Sequence, residues 1–325
     1  MALVESESAP IACYLLTFNA AGKKLLKSHL RRIIDNSMYN ESGLIDVLAF
    51  AFQECPKKWS PKKQNACRRD LNKNLAQCLA SHQMIKDCSI GALHLVVFVR
   101  KELVARVTQK ESFSKSVSRF SRGYRTKGAV GIAFRLDHRP LLFINCHFRF
   151  GRSFEYRRHD YRRVIETIVQ RQLPSSGEPS ARRIADPLGD FECVFLMGDF
   201  NTRFVSARAI RNVLKRRQCQ SLSDISSPWV RRLQRFDQLY LELRKQRRRS
   251  FEHFIEAGIR FAPSYKFIID SWMYHWTRRT PAYTDRILYR NANTVHIRCQ
   301  TYNIVPTVHI SDHLPVFGIF DLSFL

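Results

Sequence analysis

The chain has 325 residues, 45% hydrophobic and 25% charged, a balance that excludes disorder from end to end and supports a sizeable core. Lysine and arginine number 54 against 28 aspartate and glutamate, a formal charge of +26. That excess points to a polyanionic partner (nucleic acid, an anionic leaflet or a multiply phosphorylated small molecule), and charge alone does not choose among them.

Nine cysteines (Cys13, Cys55, Cys67, Cys78, Cys88, Cys146, Cys193, Cys219, Cys299) form no C-x-x-C pair and are odd in number. Structural zinc and a secreted disulfide framework are therefore not expected, and a reducing, cytoplasmic setting is. The opening MALVESESAP lacks the basic start of a secretory signal, and no apolar run approaches the ~18 residues of a membrane span. Any membrane association is expected to be peripheral.

In chain order, the pattern predicts a strand over 11–19, a helix over 24–35, a strand over 45–54 and a helix over 66–81. A strand over 93–101 precedes a Ser/Arg-rich connector, 108–126. Strands at 129–136 and 140–148 lead to a helix over 157–173, then a Pro/Gly/Ser loop, 173–190. A strand over 193–201 precedes an Arg-rich helical stretch, 229–254. Strands at 282–290, 294–303 and 315–322 close the chain. Many strands with helices between them, and no G-x-G-x-x-G turn, predict a packed α/β sandwich. Neither the connector nor the loop divides the chain, because polar strand ends lie on both sides of each. One domain over 1–325 is expected.

Those strand ends carry the chemistry. Asn19, Glu54, His147, Asp199 and Asn201 stand at or just beyond apolar strands, and Asp285, Asp312 and His313 follow later. A buried carboxylate is costly unless paired or metal-bound. A single Asp after a strand is usually a turn or cap, but so many polar strand ends are able to converge on one pocket. In Phe195-Leu196-Met197-Gly198-Asp199-Phe200-Asn201, residues two apart in extended chain address the same side, so Asp199 and Asn201 can reach one atom. Ser311-Asp312-His313-Leu314-Pro315 sets a carboxylate beside an imidazole before the final strand.

With Asn19 and Gln53-Glu54, these elements resemble the superfamily of DNase I-like nucleases, sphingomyelinases and inositol phosphatases. One branch is picked out by Arg279-Thr280-Pro281-Ala282-Tyr283-Thr284-Asp285-Arg286-Ile287-Leu288, which resembles the signature of the inositol polyphosphate 5-phosphatases. Pro263-Ser264-Tyr265-Lys266, Val97-Phe98-Val99-Arg100-Lys101 and Thr126-Lys127-Gly128 match further elements in order and spacing. Thr126, Phe148, Phe200 and Thr202 depart from the usual Asn, Leu, Leu and Tyr, at positions tied to substrate preference and packing.

The resemblance implies a DNase I-like layered sandwich of two mixed β-sheets flanked by helices. It implies hydrolysis of the 5-phosphate of phosphatidylinositol 4,5-bisphosphate, related phosphoinositides or soluble inositol polyphosphates. It implies Mg2+ held by Glu54 with Asn19 and Asp312, since hard oxygen ligands suit that ion. Asp199 orients or deprotonates the attacking water beside Asn201. Asp285 fixes the His313 tautomer, and His147 adds a donor to the phosphoryl group. Lys127, Tyr265, Lys266, Arg279 and Arg286 are the expected substrate-binding residues, with Tyr265, Lys266 and Arg279 at the 4-phosphate. An anionic membrane is an expected partner and nucleic acid is not. Phe148, Phe150 and Phe154 with Arg149 and Arg152, and Phe113 and Phe120 with Arg119, Arg122 and Arg125, are the expected membrane contacts. Two other readings compete: a nuclease of the same fold, and an inactive phosphoinositide-binding module.

Overall fold

The computed structural model describes residues 9–35, 39–40, 43–55, 60–117, 127–172, 186–206, 210, 228–245, 250–275 and 279–325. The elements run β1 (Ile11–Asn19), α1 (Lys27–Ile34), β2 (Tyr39–Asn40), β3 (Gly43–Leu44), β4 (Val47–Gln53), α2 (Pro61–Cys78), β5 (His82–Ile90) and β6 (Leu93–Arg100). A 3-10 turn (Lys101–Arg106) leads to β7 (Val107–Ser116), β8 (Gly128–Leu136), β9 (Arg139–His147), α3 (Glu155–Gln172) and β10 (Cys193–Asp199). Then come α4 (Pro228–Gln234), α5 (Gln238–Leu243), β11 (Ile255–Glu256), β12 (Asp285–Asn291), β13 (Val295–Ile304) and β14 (Val316–Phe324).

Two six-stranded sheets form, ordered β13-β14-β1-β4-β6-β5 and β11-β12-β10-β9-β8-β7. Their central strands are buried on both faces, which is why they read as continuous apolar runs. Alternate residues divide between two cores. On β1, Cys13 and Leu15 face the second sheet's Phe143, Phe195 and Met197. Tyr14, Leu16 and Phe18 face the opposite way, into a cluster with Leu30, Ile33, Leu71 and Leu75 of α1 and α2. On the far side, Leu142, Ile144 and Leu196 pack against Tyr161, Val164 and Ile168 of α3. The result is a helix–sheet–sheet–helix sandwich. Truncating a central ring such as Phe195 to Ala costs about 3–5 kcal/mol.

Three expectations are corrected. Residues 108–116 of the expected connector belong to β7, an edge strand whose one-sided burial hides the apolar alternation. The strand β5 was absent from the expected elements for the same reason, since it borders the first sheet and carries exposed polar residues. The helical stretch over 229–254 breaks, because Asp237 caps α5, accepting from the Tyr240 amide at 2.9 Å, and is wholly buried. Most of the 173–190 loop, all of 118–126 and Gln246–Arg249 lie outside the described residues.

Each sheet contains one parallel pair at its centre, β1 with β4 and β9 with β10. Parallel strands end on the same side, so Asn19 lies level with Gln53, and Asp199 level with His147. The antiparallel β12 begins where β10 ends, with Asp285 opposite Asp199. This topology brings the polar strand ends to one rim of the sandwich. Among the described residues, no helix is long and apolar enough to cross a membrane.

Candidate active site

Asp199 is the hub of the rim. Its Oδ2 accepts from Asn19 Nδ2 at 2.9 Å and lies 3.1 Å from His147 Nε2. Its Oδ1 accepts from the Asn201 amide at 2.8 Å. Gly198 makes this placement possible. Its φ is +146°, and a Cβ there would stand 1.9 Å from the Cys146 carbonyl oxygen. Asn201 itself donates from Nδ2 to the Phe148 carbonyl at 3.0 Å.

Asp285 and His313 form a second pair, with Nδ1 at 2.9 Å from Oδ2. That Oδ2 also accepts from Ser264 Oγ at 2.7 Å and Thr284 Oγ1 at 2.8 Å. Ser311 Oγ accepts from the His313 amide at 3.2 Å and donates to the Asn19 carbonyl at 2.7 Å, tying the last loop to β1. The Tyr265 ring covers the imidazole at 4.5 Å between centroids. Asp199, Asp285 and His313 present ligand-capable atoms within 4.8 Å of one another, all buried.

The charges are uneven. Burial alone would raise Asp199, but the His147 contact, His313 and Lys127 outweigh it and hold the carboxyl well below the usual range. Burial works against a charge on His313, yet Asp285, with Asp199 and Asp312, raises it to about 9. Burial and then Lys127 lower His147, against the pull of Asp199 and Glu54, so this imidazole favours its neutral form. Lys127 Nζ contacts His147 Nε2 directly. The His147 Nδ1 atom is buried with no hydrogen-bond partner.

Glu54 follows β4 with a φ of +51° and is half-buried. It stands one residue beyond Gln53, the register neighbour of Asn19. Asn19 Oδ1 accepts from the Ala21 amide at 3.0 Å. Carboxylate and amide oxygens of this kind are the donor type that suits a hard divalent ion. Asp312 stands next to His313 in the last loop. Its carboxylate is ion-paired with Lys266, and although burial opposes ionisation, His313 and Lys266 lower its pKa.

A cleft of about 580 Å³ opens beside the cluster, lined by Arg152, Arg203, Gln238, Arg279 and Pro281 among others. Arg203 bridges the two regions, with Nη2 donating to Asn201 Oδ1 at 3.0 Å and its guanidinium 4.6 Å from the Tyr265 ring centroid.

The pattern of the Endonuclease/Exonuclease/phosphatase family 2 matches residues 16–319. The chain belongs to that family. Among curated relatives, the human phosphatidylinositol polyphosphate 5-phosphatase type IV is 35% identical over 79% of this chain and 39% of its own length. The Mus musculus protein of the same name is 30% identical over 96% of this chain and 46% of its own. The chain thus spans less than half the length of either relative. The phosphatidylinositol 3,4,5-trisphosphate 5-phosphatase 2 of Mus musculus is 29% identical over 72% of this chain and 18% of its own. Within the family, the chain resembles the inositol polyphosphate 5-phosphatases.

Solved structures show the shared fold. The inositol polyphosphate 5-phosphatase domain of SpSynaptojanin, in complex with inositol (1,4)-bisphosphate and calcium ion, superposes with a TM-score of 0.75 at 22% identity. The superposition covers 97% of this chain and 86% of that one. A Cimex nitrophorin in its ferrous NO complex reaches 0.71 at 17% identity, over 97% of this chain and 99% of that one. The family's sandwich therefore carries unrelated ligands, and function has to be argued from the rim.

Of the residues singled out by sequence, the structure gathers Asn19, Lys127, His147, Asp199, Asn201, Tyr265, Asp285 and His313 into one interconnected cluster. Lys266 and Asp312 pair beside it, and Arg279 lines the cleft. Arg286 is a correction. It is wholly buried, with Nη1 donating to Asp237 at 2.8 Å and Nε to Glu256 at 2.6 Å. Adjacent residues of a strand face opposite ways, so with Asp285 turned to the rim, Arg286 is turned from it. Phe148 is fully buried and Phe113 nearly so, which removes both as membrane contacts, while Phe150 is 63% exposed. Arg149 is committed to Asp160 at 2.7 Å.

Sequence reasoning missed Arg203, whose one available signal is its place two residues past Asn201. It also missed Ser264 and Thr284, short hydroxyls inside quoted motifs. A further omission is Asn145, which joins the sheets by accepting from Gln53 Nε2 at 2.7 Å and donating to the Phe52 and His94 carbonyls at 2.9 and 2.8 Å.

Proposed function

We propose that this chain is an Mg2+-dependent phosphomonoesterase removing the 5-phosphate from phosphatidylinositol 4,5-bisphosphate and related phosphoinositides or inositol polyphosphates. The observation that carries the reading is the pairing of an ionised hub, Asp199, with a cationic His313 a few ångströms away in a buried rim. Relatives named as phosphatidylinositol polyphosphate 5-phosphatases support the substrate class.

Phosphate-monoester hydrolysis needs an oriented water and compensation for charge on the phosphoryl oxygens. Asp199 accepts a hydrogen bond from that water and orients it, while Asn201 fixes the hub through its amide. His313, with Nδ1 committed to Asp285, leaves Nε2–H to donate to a phosphoryl oxygen. Lys127 and His147 face the same space as further donors. Glu54 and Asn19 would hold Mg2+, which supplies charge neutralisation to the scissile phosphate and its leaving oxygen.

Lys266, Tyr265 and Arg279 are the proposed contacts of the neighbouring 4-phosphate, with Arg203 added from the cleft. Lys266 would exchange Asp312 for that phosphate. An anionic membrane is the proposed setting. Ile268, Trp272 and Met273 are 38%, 46% and 64% exposed within seven residues of Lys266. Apolar side chains beside a cationic mouth suit a leaflet, where each buried one contributes about 1.5–3 kcal/mol.

The deciding experiment compares phosphate release from a 4,5-bisphosphorylated inositol lipid with cleavage of plasmid DNA, each with and without Mg2+. Release from the lipid alone is expected. Nicked DNA with an untouched lipid would move the assignment to the nucleases of this fold. Trp272→Ser with Met273→Ser is expected to weaken binding to anionic vesicles about tenfold while leaving turnover of a soluble substrate intact.

A further inference from the structure

Away from the rim, a cavity of about 650 Å³ opens between α4, α5 and the edge strand β11. Arginines reach it from three directions. Arg231 belongs to α4 and Arg235 follows it, Arg244 caps the end of α5, and Arg260 follows β11. All four are exposed, and among the described residues none forms an ion pair. The carboxylate in the lining, Glu256, is already engaged by Arg286 Nε at 2.6 Å and Tyr302 Oη at 2.9 Å.

Four like charges sharing one concavity repel, and among the described residues no carboxylate is ion-paired to them. A polyanion relieves that repulsion. A guanidinium fork matches a phosphate through two parallel hydrogen bonds, so four forks suit two phosphates. The volume falls within the range of small-ligand sites. Buried Phe254 and Ile259 give the cavity an apolar floor. The aromatic face that could stack a nucleobase is taken, since the Arg244 guanidinium lies 4.4 Å from the Tyr240 ring centroid.

We propose that this cavity is a second anion site, taking a ligand with adjacent phosphate groups such as an inositol polyphosphate or the headgroup of a phosphoinositide. None of its lining residues belongs to the catalytic cluster, so it stands whether or not the rim hydrolyses the same class of molecule.

Calorimetry on the 325-residue Asp199→Asn chain tests it, with soluble inositol 1,4,5-trisphosphate in one arm and vesicles carrying phosphatidylinositol 4,5-bisphosphate in the other. Two binding equivalents are expected. Arg231→Gln with Arg260→Gln should weaken one of them about tenfold, the loss anticipated when charge-assisted forks are removed. In the otherwise unaltered chain, the same substitutions should leave phosphate release from dilute soluble substrate unchanged. Loss in both arms identifies the phosphate group itself as the ligand, and loss with vesicles alone identifies the lipid; either supports the site. Unchanged affinity and stoichiometry in both arms would overturn it. So would a single-stranded RNA that binds more tightly than either probe and loses that binding in the same variant. Failure of the rim reading gives a different pattern, a single equivalent that Lys266→Gln leaves untouched. Phenylglyoxal modification of the unaltered chain adds a readout independent of any variant's folding. The trisphosphate should shield Arg231, Arg235 and Arg260, and equal reactivity with and without it would also sink the proposal.

Discussion

Asp285 and Arg286 are neighbours on β12, both fully buried, and they serve opposite ends. Arg286 sits between Asp237 and Glu256, with its guanidinium bonded on both sides. That group is closed, because every charge has a partner inside the protein. Asp285 holds one face of His313, which leaves the other ring nitrogen for something from outside. Burial of charge is common to both regions, so burial does not mark function. The mark is a charge that is oriented but left with capacity to spare.

The comparison can be broken at four points. Asp285→Ala should lower kcat by about 10²–10⁴-fold with a small change in KM, because His313 loses its orientation. Near-normal steady-state turnover would place the dyad outside the chemistry. Arg286→Met should do the reverse. It leaves two buried carboxylates without their cation and should cost about 3–5 kcal/mol in urea unfolding, while the folded fraction keeps its kcat. A large loss of kcat at full stability would return Arg286 to the site.

Lys266 lies between these extremes, partly exposed and paired with Asp312. Lys266→Gln should raise KM about tenfold for substrates with a 4-phosphate and leave those without it unchanged. Equal effects on both would remove the 4-phosphate assignment.

The smallest effect is in pH dependence. His313 has its pKa raised in the fold to about 9, above an unfolded value near 6.5. Its pairing therefore stabilises the protein fully below about pH 6.5, and the contribution is lost as pH rises through about 9. Melting temperature should drift down across that window, and His313→Gln should flatten the drift. A profile that the variant does not alter would show that another group carries it.

The strands that build the site were legible because they are apolar on both faces. IACYLLTFN over 11–19 matches β1 without adjustment, and the runs near 47, 93, 140 and 193 are correct to within a few residues. The edges were not legible. β5 and β7 bury one face each, so their polar residues imitate loops.

By itself, then, the sequence determined the layered α/β sandwich, the positions of its central strands along the chain and the residue types available at their ends. These follow from local pattern, since two-sided burial writes an uninterrupted apolar run and a strand end admits a polar residue. Tertiary structure alone decided which of those residues meet. It turned Asp285 to the rim and Arg286 from it, and it gave Arg286 a partner, Asp237, 49 positions away in the chain. It also gathered arginines from two helices and an edge strand around one cavity. The reason is physical: a charge takes its role from the groups around it, and in a folded chain those groups come from distant segments that no local pattern records.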